Sequence, residues 1–266
     1  MVFGTLIRLH NPTATGAAMT LTANSRGFFR TLLGLAALAL LPESFAIEIK
    51  PYSAKYSAKF NGMDIEANHR LEKLESGQYR ETLKAKNIFG KINEQALFSL
   101  SEDQTLIHQE YKYERSLMGV KRAEQQVFDW PAQELQYYKK DQLTLLPIEP
   151  GALDMITHKL KLRSDLQLGK ENFSYSVIAR GKLKQYVYKV MARQVLDTAI
   201  GPLNTVLVQR IREDKDRTTK IWLASDWDYL AVQLEQIKNG ESHKMKIISG
   251  QVDNQPVVPL NIAAEK

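Results

Sequence analysis

At 266 residues, with 44% hydrophobic and 25% charged side chains, the chain has the make-up of a packed globular protein, neither disordered nor fibrous. It contains no cysteine, which excludes disulfides, thiolate catalysis, thiolate metal sites and a lipid-modified N-terminal cysteine. The formal charge is +6, but basic and acidic residues alternate along the chain, so no phosphate-tracking stripe forms and nucleic acid is not an expected partner.

The first 46 residues read as a leader. Arg26 and Arg30 precede the apolar run Leu32 to Leu41, Pro42 breaks it, and Ser44-Phe45-Ala46 places small residues three and one before a cut after Ala46. The run of ten would span about 15 Å as a helix, half of a bilayer core of roughly 30 Å. Residues 1–18 fit no part of such a leader, and Met19 stands where its basic segment should begin, so Met19 is expected to be the true start. Arg8, Arg26 and Arg30 stand against Glu43 in this segment, leaving 33 basic and 29 acidic residues, a net of +4, in residues 47–266. No later segment is apolar enough to span a membrane as a helix, and a periplasmic location is expected.

Period-two alternation begins directly after the leader. Tyr52, Ala54, Tyr56, Ala58 and Phe60 share one face of a strand, and Ser53, Lys55, Ser57 and Lys59 the other. Asn61-Gly62 is a strong hairpin signal, because both residue types tolerate positive φ. Strands then run over Met63–Leu74, Tyr79–Asn87, Ile92–Leu100, Thr105–Glu114 and Val120–Trp130, with shorter ones at Leu135–Tyr138 and Leu143–Leu145. The pattern changes after Pro147-Ile148-Glu149-Pro150-Gly151. Leu153, Ile156 and Leu160 recur at helical spacing, with Asp154 early and Lys161 and Arg163 late, which predicts one short helix over 152–163.

Beyond Gly169 the strands resume at Phe173–Ala179, Leu183–Ala192, Thr205–Arg212, Thr218–Leu223, Tyr229–Ile237 and Lys244–Ser249, with a second hairpin signal at Asn239-Gly240. The fold class is therefore mainly β: a large curved antiparallel sheet, or a partly open β-barrel, with one helix. Residues 47–254 are expected to form a single β domain, with two small domains meeting near residue 150 as the alternative, and 255–266, with Pro256 and Pro259, a loose tail. Neighbouring charges such as Glu72-Lys73 and Lys121-Arg122 put charge on both faces of a strand, which argues against a lipid-embedded barrel.

The segment Thr218 to Gln236, containing Ile221-Trp222-Leu223 and Asp226-Trp227-Asp228-Tyr229, resembles the closing signature of an exported bacterial family, domain of unknown function 3108. Pro150-Gly151-Ala152-Leu153-Asp154 resembles its mid-chain signature, and Tyr56 to Met63 its opening hairpin. A proline usual after the tryptophan-leucine pair is replaced by Ala224-Ser225. The resemblance covers most of residues 50–250 and implies an antiparallel periplasmic β fold with no established activity.

Candidate site residues are few. His69, His108, His158 and His243 are too far apart in sequence to form a local metal pair, and no Gly-x-Ser-x-Gly elbow exists, so no catalytic residue, metal or cofactor is assigned. Asp154 is either a first-turn carboxylate holding backbone N–H groups or an acid facing a cavity. Asp226 and Asp228 either cap a turn or form a carboxylate pair. Trp222, Trp227 and Tyr229 are either core or a ligand platform. The mixtures Tyr111-Lys112-Tyr113-Glu114-Arg115 and Lys182-Leu183-Lys184-Gln185-Tyr186 suggest contacts to polysaccharide or anionic lipid, against the commoner reading of solvated strand faces.

Taken as ligand-binding residues, Asp154, Trp222, Asp226, Trp227 and Tyr229 lead to a non-enzymatic binding protein for an amphipathic or extended envelope ligand: a lipid, a glycan or a partner protein's strand. The alternatives are a polysaccharide-acting hydrolase using Asp154, Asp226 or Asp228, and an envelope assembly factor working through a sheet edge.

Overall fold

The computed structural model describes residues 49–60, 63–102, 104–140, 142–212 and 217–260. The leader, the proposed start at Met19 and the cut after Ala46 lie outside the described residues, as do Asn61-Gly62 and residues 261–266.

Among the described residues the alternating segments become fifteen strands. Eight run before the helix: β1 Tyr52–Phe60, β2 Met63–Lys73, β3 Tyr79–Asn87, β4 Gly90–Leu100, β5 Leu106–Leu117, β6 Val120–Asp129, β7 Glu134–Lys139 and β8 Gln142–Pro147. After α1, Thr157–Gln167, come β9 Asn172–Ile178, β10 Leu183–Thr198, β11 Gly201–Ile211, β12 Arg217–Ala224, β13 Leu230–Lys238, β14 Glu241–Val252 and β15 Gln255–Pro256. Each hairpin connection sets its strand beside the last, giving two antiparallel meanders. They fuse where β1 pairs β14, so one sheet runs β8 to β1, then β14 to β9, with β15 added on β14. The sheet does not close. Its edges are β8 and β9, the strands that flank α1 in sequence.

Bulges bend this long sheet, at Lys55/Tyr56, Leu97/Phe98, Val190/Ala192 and Trp222/Leu223. It curls around α1, whose Thr157, His158, Leu160, Leu162, Arg163, Asp165 and Leu166 are all buried. Ile156 packs on Ala96 and Tyr111, Leu160 in the cluster of Tyr52, Tyr56 and Leu230, and Leu162 and Leu166 in that of Phe173, Tyr188 and Val208. Such a helix shows no single apolar stripe because it meets the sheet on several sides. Ile148, Ala152, Leu135 and Ile178 share a further cluster that draws the two edges toward each other.

The helix begins later than its spacing predicts. Gly151 takes φ +80°, and Leu153 then pairs with Val177 of β9: Leu153 N–H donates to the Ser176 carbonyl at 2.9 Å and Ile178 N–H to the Leu153 carbonyl at 2.8 Å. The free edge of β9 captures the residues that helical periodicity assigns to the first turn. At the other end α1 runs on to Gln167, and Gly169, at φ +73°, donates its N–H to the Leu166 carbonyl at 2.9 Å. Lys161 and Arg163 are therefore mid-helix residues.

Burial follows the alternation. Tyr52, Ala54 and Tyr56 are buried, whereas Ser53, Lys55, Ser57 and Lys59 are exposed. The expected loose tail is held as far as Leu260: Val257 is buried and donates to the Gly250 carbonyl, Trp227 Nε1 donates to the Val258 carbonyl at 2.8 Å, and Asn204 reaches the Leu260 carbonyl. Edge strand β8 carries no charge and leaves Leu143 and Leu145 half exposed. Among the described residues no helix is long and apolar enough to cross a membrane.

Candidate functional site

Antiparallel registers bring the connections 87–90, 117–120, 178–183 and 238–241, with the strand ends at Ile211 and Arg217, to one end of the sheet, which we call the upper end. Between this end and α1 lies a cavity of 470 Å³. Its floor is Met155, His158 and Lys159; its walls come from β4 to β6 on one side and from β10 to β13 on the other. It is the lumen of the curled sheet above the helix.

Cations dominate the lining. Among the described residues, Arg122, Lys159, Arg180, Lys184, Arg210, Arg212 and Arg217 share this lining with two carboxylates, Glu94 and Glu124. Glu124 is committed to Arg122, whose Nε and Nη2 donate to Oε1 at 2.8 and 2.6 Å. Burial raises the Glu94 carboxyl above its ordinary range. On the opposite wall, Arg210 of β11 and Arg212, one residue past its end, continue the inward parity of Val206 and Val208, while Arg217 and Thr219 lie on the inward parity of β12. The Nε atoms of all three arginines and Thr219 Oγ1 are buried without a hydrogen-bond partner among the described residues. Arg210 also lies 3.2 Å over the centre of the Tyr186 ring. Burial, then the charges of Arg210 and Arg217, lower the pKa of Arg212. Gathering like charges in a partly dry lumen is unfavourable, and an anion would relieve it.

His158 is part of the floor and is fully enclosed. The Asp154 carbonyl, 3.0 Å from Nδ1, can only accept, so Nδ1 carries the proton and Nε2 accepts from the Tyr188 hydroxyl at 3.0 Å. Burial, helped by Lys159, pushes the ring down to about 3. An unfolded histidine titrates near about 6.5. The unfolded chain therefore binds the extra proton between those values, and this group's contribution weakens as pH falls from 6.5 toward 3. At pH 5 the expected loss is about 2 kcal/mol. Urea unfolding from pH 7.5 to 4.5 checks this: His158→Gln should flatten the acid limb, and an equally steep limb in the variant would remove His158 as its cause.

Of the residues singled out in the sequence, Tyr111, Tyr113, Lys184 and Tyr186 line the lumen. Asp154, Trp222, Asp226, Trp227 and Tyr229 do not. Asp154 lies fully buried beneath the floor, where its Oδ1 accepts the Ile156 and Thr157 N–H groups at 2.7 and 2.8 Å. Its Oδ2 is 3.5 Å from His108 Nδ1, at the long limit of a hydrogen bond. Burial alone would raise this carboxyl, but His108 and the two N–H groups outweigh it and hold it below the usual range. Trp222 packs in the cluster of Leu203, Leu230 and Val257, and Tyr229 borders that of Leu153 and Val206. Trp227 anchors the tail and Asp226 accepts from Asn204 at 2.7 Å. Asp228 holds Arg163 at 2.8 Å and also accepts from Gln167.

The histidines do not converge. His69 sits 2.7 Å from Glu81, which also accepts from the Tyr52 hydroxyl at 2.5 Å; His108 faces Asp154, and His243 lies 3.9 Å from Glu241. Among the described residues no cluster of three His, Asp or Glu could hold a metal ion.

A family model described as "Protein of unknown function (DUF3108)" matches residues 55–247. No curated protein matches the sequence. A crystal structure of a beta-barrel-like protein of domain of unknown function DUF1849 from Brucella abortus is similar in fold, with TM-score 0.55 and 8% identity, covering 77% of this chain and 99% of that one.

Proposed function

The chain belongs to the DUF3108 family of proteins of unknown function, and we propose that this member is a non-enzymatic periplasmic protein that binds an anionic, amphipathic envelope ligand in its lumen. One observation carries the reading: three arginines whose buried Nε atoms have no partner among the described residues converge on a cavity of drug-like size. The arginines suit a phosphate or carboxylate head, and Tyr111, Tyr186, Tyr188, Ile221 and Leu234 supply an amphipathic wall for the remainder. Asp154, Asp226 and Asp228 each secure local structure and none lines this cavity, so the reading needs no reaction. The location rests on the leader read from residues 19–46.

Protein recovered from a periplasmic extract should begin at Ile47. Calorimetry should show that it binds monomeric dihexanoyl phosphatidic acid but not the matching phosphatidylcholine. In Arg212→Gln, affinity for the acid should fall about 10- to 100-fold, as expected for a lost charge-assisted contact. Stability should stay level or rise, because a crowded charge has gone. Unchanged affinity in this variant would sink the proposal.

A further inference from the structure

We infer that the upper rim formed by the β3–β4 and β5–β6 hairpins docks on an anionic lipid bilayer. Tight turns ordinarily hold glycine, asparagine and other small polar residues. These two carry Ile88-Phe89 and Met118-Gly119, with Ile88 88% exposed, Met118 77% and Val120 64%. The tips form one surface, since Met118 N–H donates to the Phe89 carbonyl at 2.9 Å and Gly90 pairs with Leu117 in the β4–β5 ladder. Apolar side chains held that far into water gain free energy only by covering.

The charge beside them indicates what covers them. Close to the two turns stand Lys84, Lys86, Lys91, Arg115, Lys121 and Arg122, with Glu114 among them and Glu66 and Glu124 alongside. Lys86 lies directly across the ladder from Lys91, and Arg115 directly across from Arg122. Like charges in that position weaken a sheet. Glu66 beside Lys86 and Glu124 beside Arg122 offset part of the repulsion. Apolar tips ringed by cations complement the boundary of a bilayer rich in anionic headgroups, where the tips insert and the lysines stay at headgroup level. The rim also stands at the end where the lumen is lined by Arg180, Arg212 and Arg217. The inference goes beyond the lumen reading and does not depend on it.

Flotation of the protein with its leader removed tests the idea, using vesicles of phosphatidylcholine with and without 30 mole per cent phosphatidylglycerol. The protein should float with the anionic vesicles at low salt and largely release in 0.5 M salt. Lys86→Ser with Lys91→Ser should weaken binding about thirtyfold. Ile88→Ser with Met118→Ser should weaken it at least ~10-fold without changing the melting midpoint, since both side chains are exposed. Arg210→Gln with Arg212→Gln should float as the parent does, even where phosphatidic acid binding is lost, which separates the two proposals. Equal binding to both vesicle types, no binding at low salt, or unaltered binding by both rim variants would overturn the inference. So would a dimer in sedimentation that Ile88→Ser dissolves, because a second copy would then be what covers the tips.

Discussion

Asp154→Ala is expected to lower stability by about 2–4 kcal/mol while leaving binding of dihexanoyl phosphatidic acid intact. Asp154 secures the entry to α1 by four routes. Its Oδ1 takes the Ile156 and Thr157 N–H groups, and its own N–H donates to Thr157 Oγ1 at 3.2 Å. Its carbonyl receives His158 Nδ1–H, and its Oδ2 faces buried His108. Alanine removes the side-chain part of this set and leaves two N–H groups and an imidazole enclosed without their acceptor. Loss of a cap costs up to about 2 kcal/mol, and each buried orphan adds about 1–3, offset by relaxation and water entry. For a domain of this size the melting midpoint should fall by about 5–15 °C. Asp154→Asn keeps an acceptor and should lose less. Because the folded carboxyl titrates below its unfolded value of about 3.9, its stabilisation is complete above that pH and disappears as pH falls through the lower folded value. A variant with unaltered midpoint that no longer binds the probe would instead make Asp154 a ligand contact.

The second large effect is expected at Arg163. Its Nη2 donates to Asp228 Oδ2 at 2.8 Å, its Nε to the Asp228 carbonyl at 2.9 Å, and its guanidinium stacks 4.6 Å from the Tyr52 ring centre. Both side chains are about nine-tenths buried. This is the link between the middle of α1 and the turn that precedes β13, where Asp228 and Tyr229 both adopt positive φ. Arg163→Met should cost about 3–5 kcal/mol, toward the lower end because Gln167 still reaches Asp228. Adding Asp228→Asn, which tolerates the left-handed backbone, removes the stranded charge. The double variant should therefore lose at least ~1 kcal/mol less than the two single losses combined. Strict additivity in urea unfolding would show that the pair is not coupled.

These two residues illustrate how far sequence alone reaches. Asp154 is legible as an early helix carboxylate, since that role depends on N–H groups two and three positions away. Arg163 reads as a solvated last-turn cation, because its partner lies sixty-five residues on. The segment Leu153 to Ile156 reads as helix because its spacing permits it; a free edge of β9 competes for the same backbone and wins. Asp226, Trp227 and Asp228 are visible as a turn, but their tasks as tail and helix anchors depend on segments that arrive from elsewhere.

The lumen arginines leave a fainter trace. Arg210 and Arg212 continue the parity of Val206 and Val208, and Arg217 and Thr219 that of Ile221. Charged residues on the inward parity of a strand are costly unless something answers them. Along the chain, Glu213, Asp214 and Asp216 stand between Arg212 and Arg217 and mask this concentration.

Residue order by itself determined which side of each strand is buried, that neighbouring strands pair antiparallel through hairpins, and that one helical insert divides two meanders. Those properties follow from a two-residue period and from turns a few residues long, and both are local. Tertiary structure alone decided that β1 would meet β14, that α1 would fill the curl, and that cations from seven sequence positions would face one lumen. Curvature accumulates over fourteen paired strands through bulges and packing, so no short window of sequence contains it.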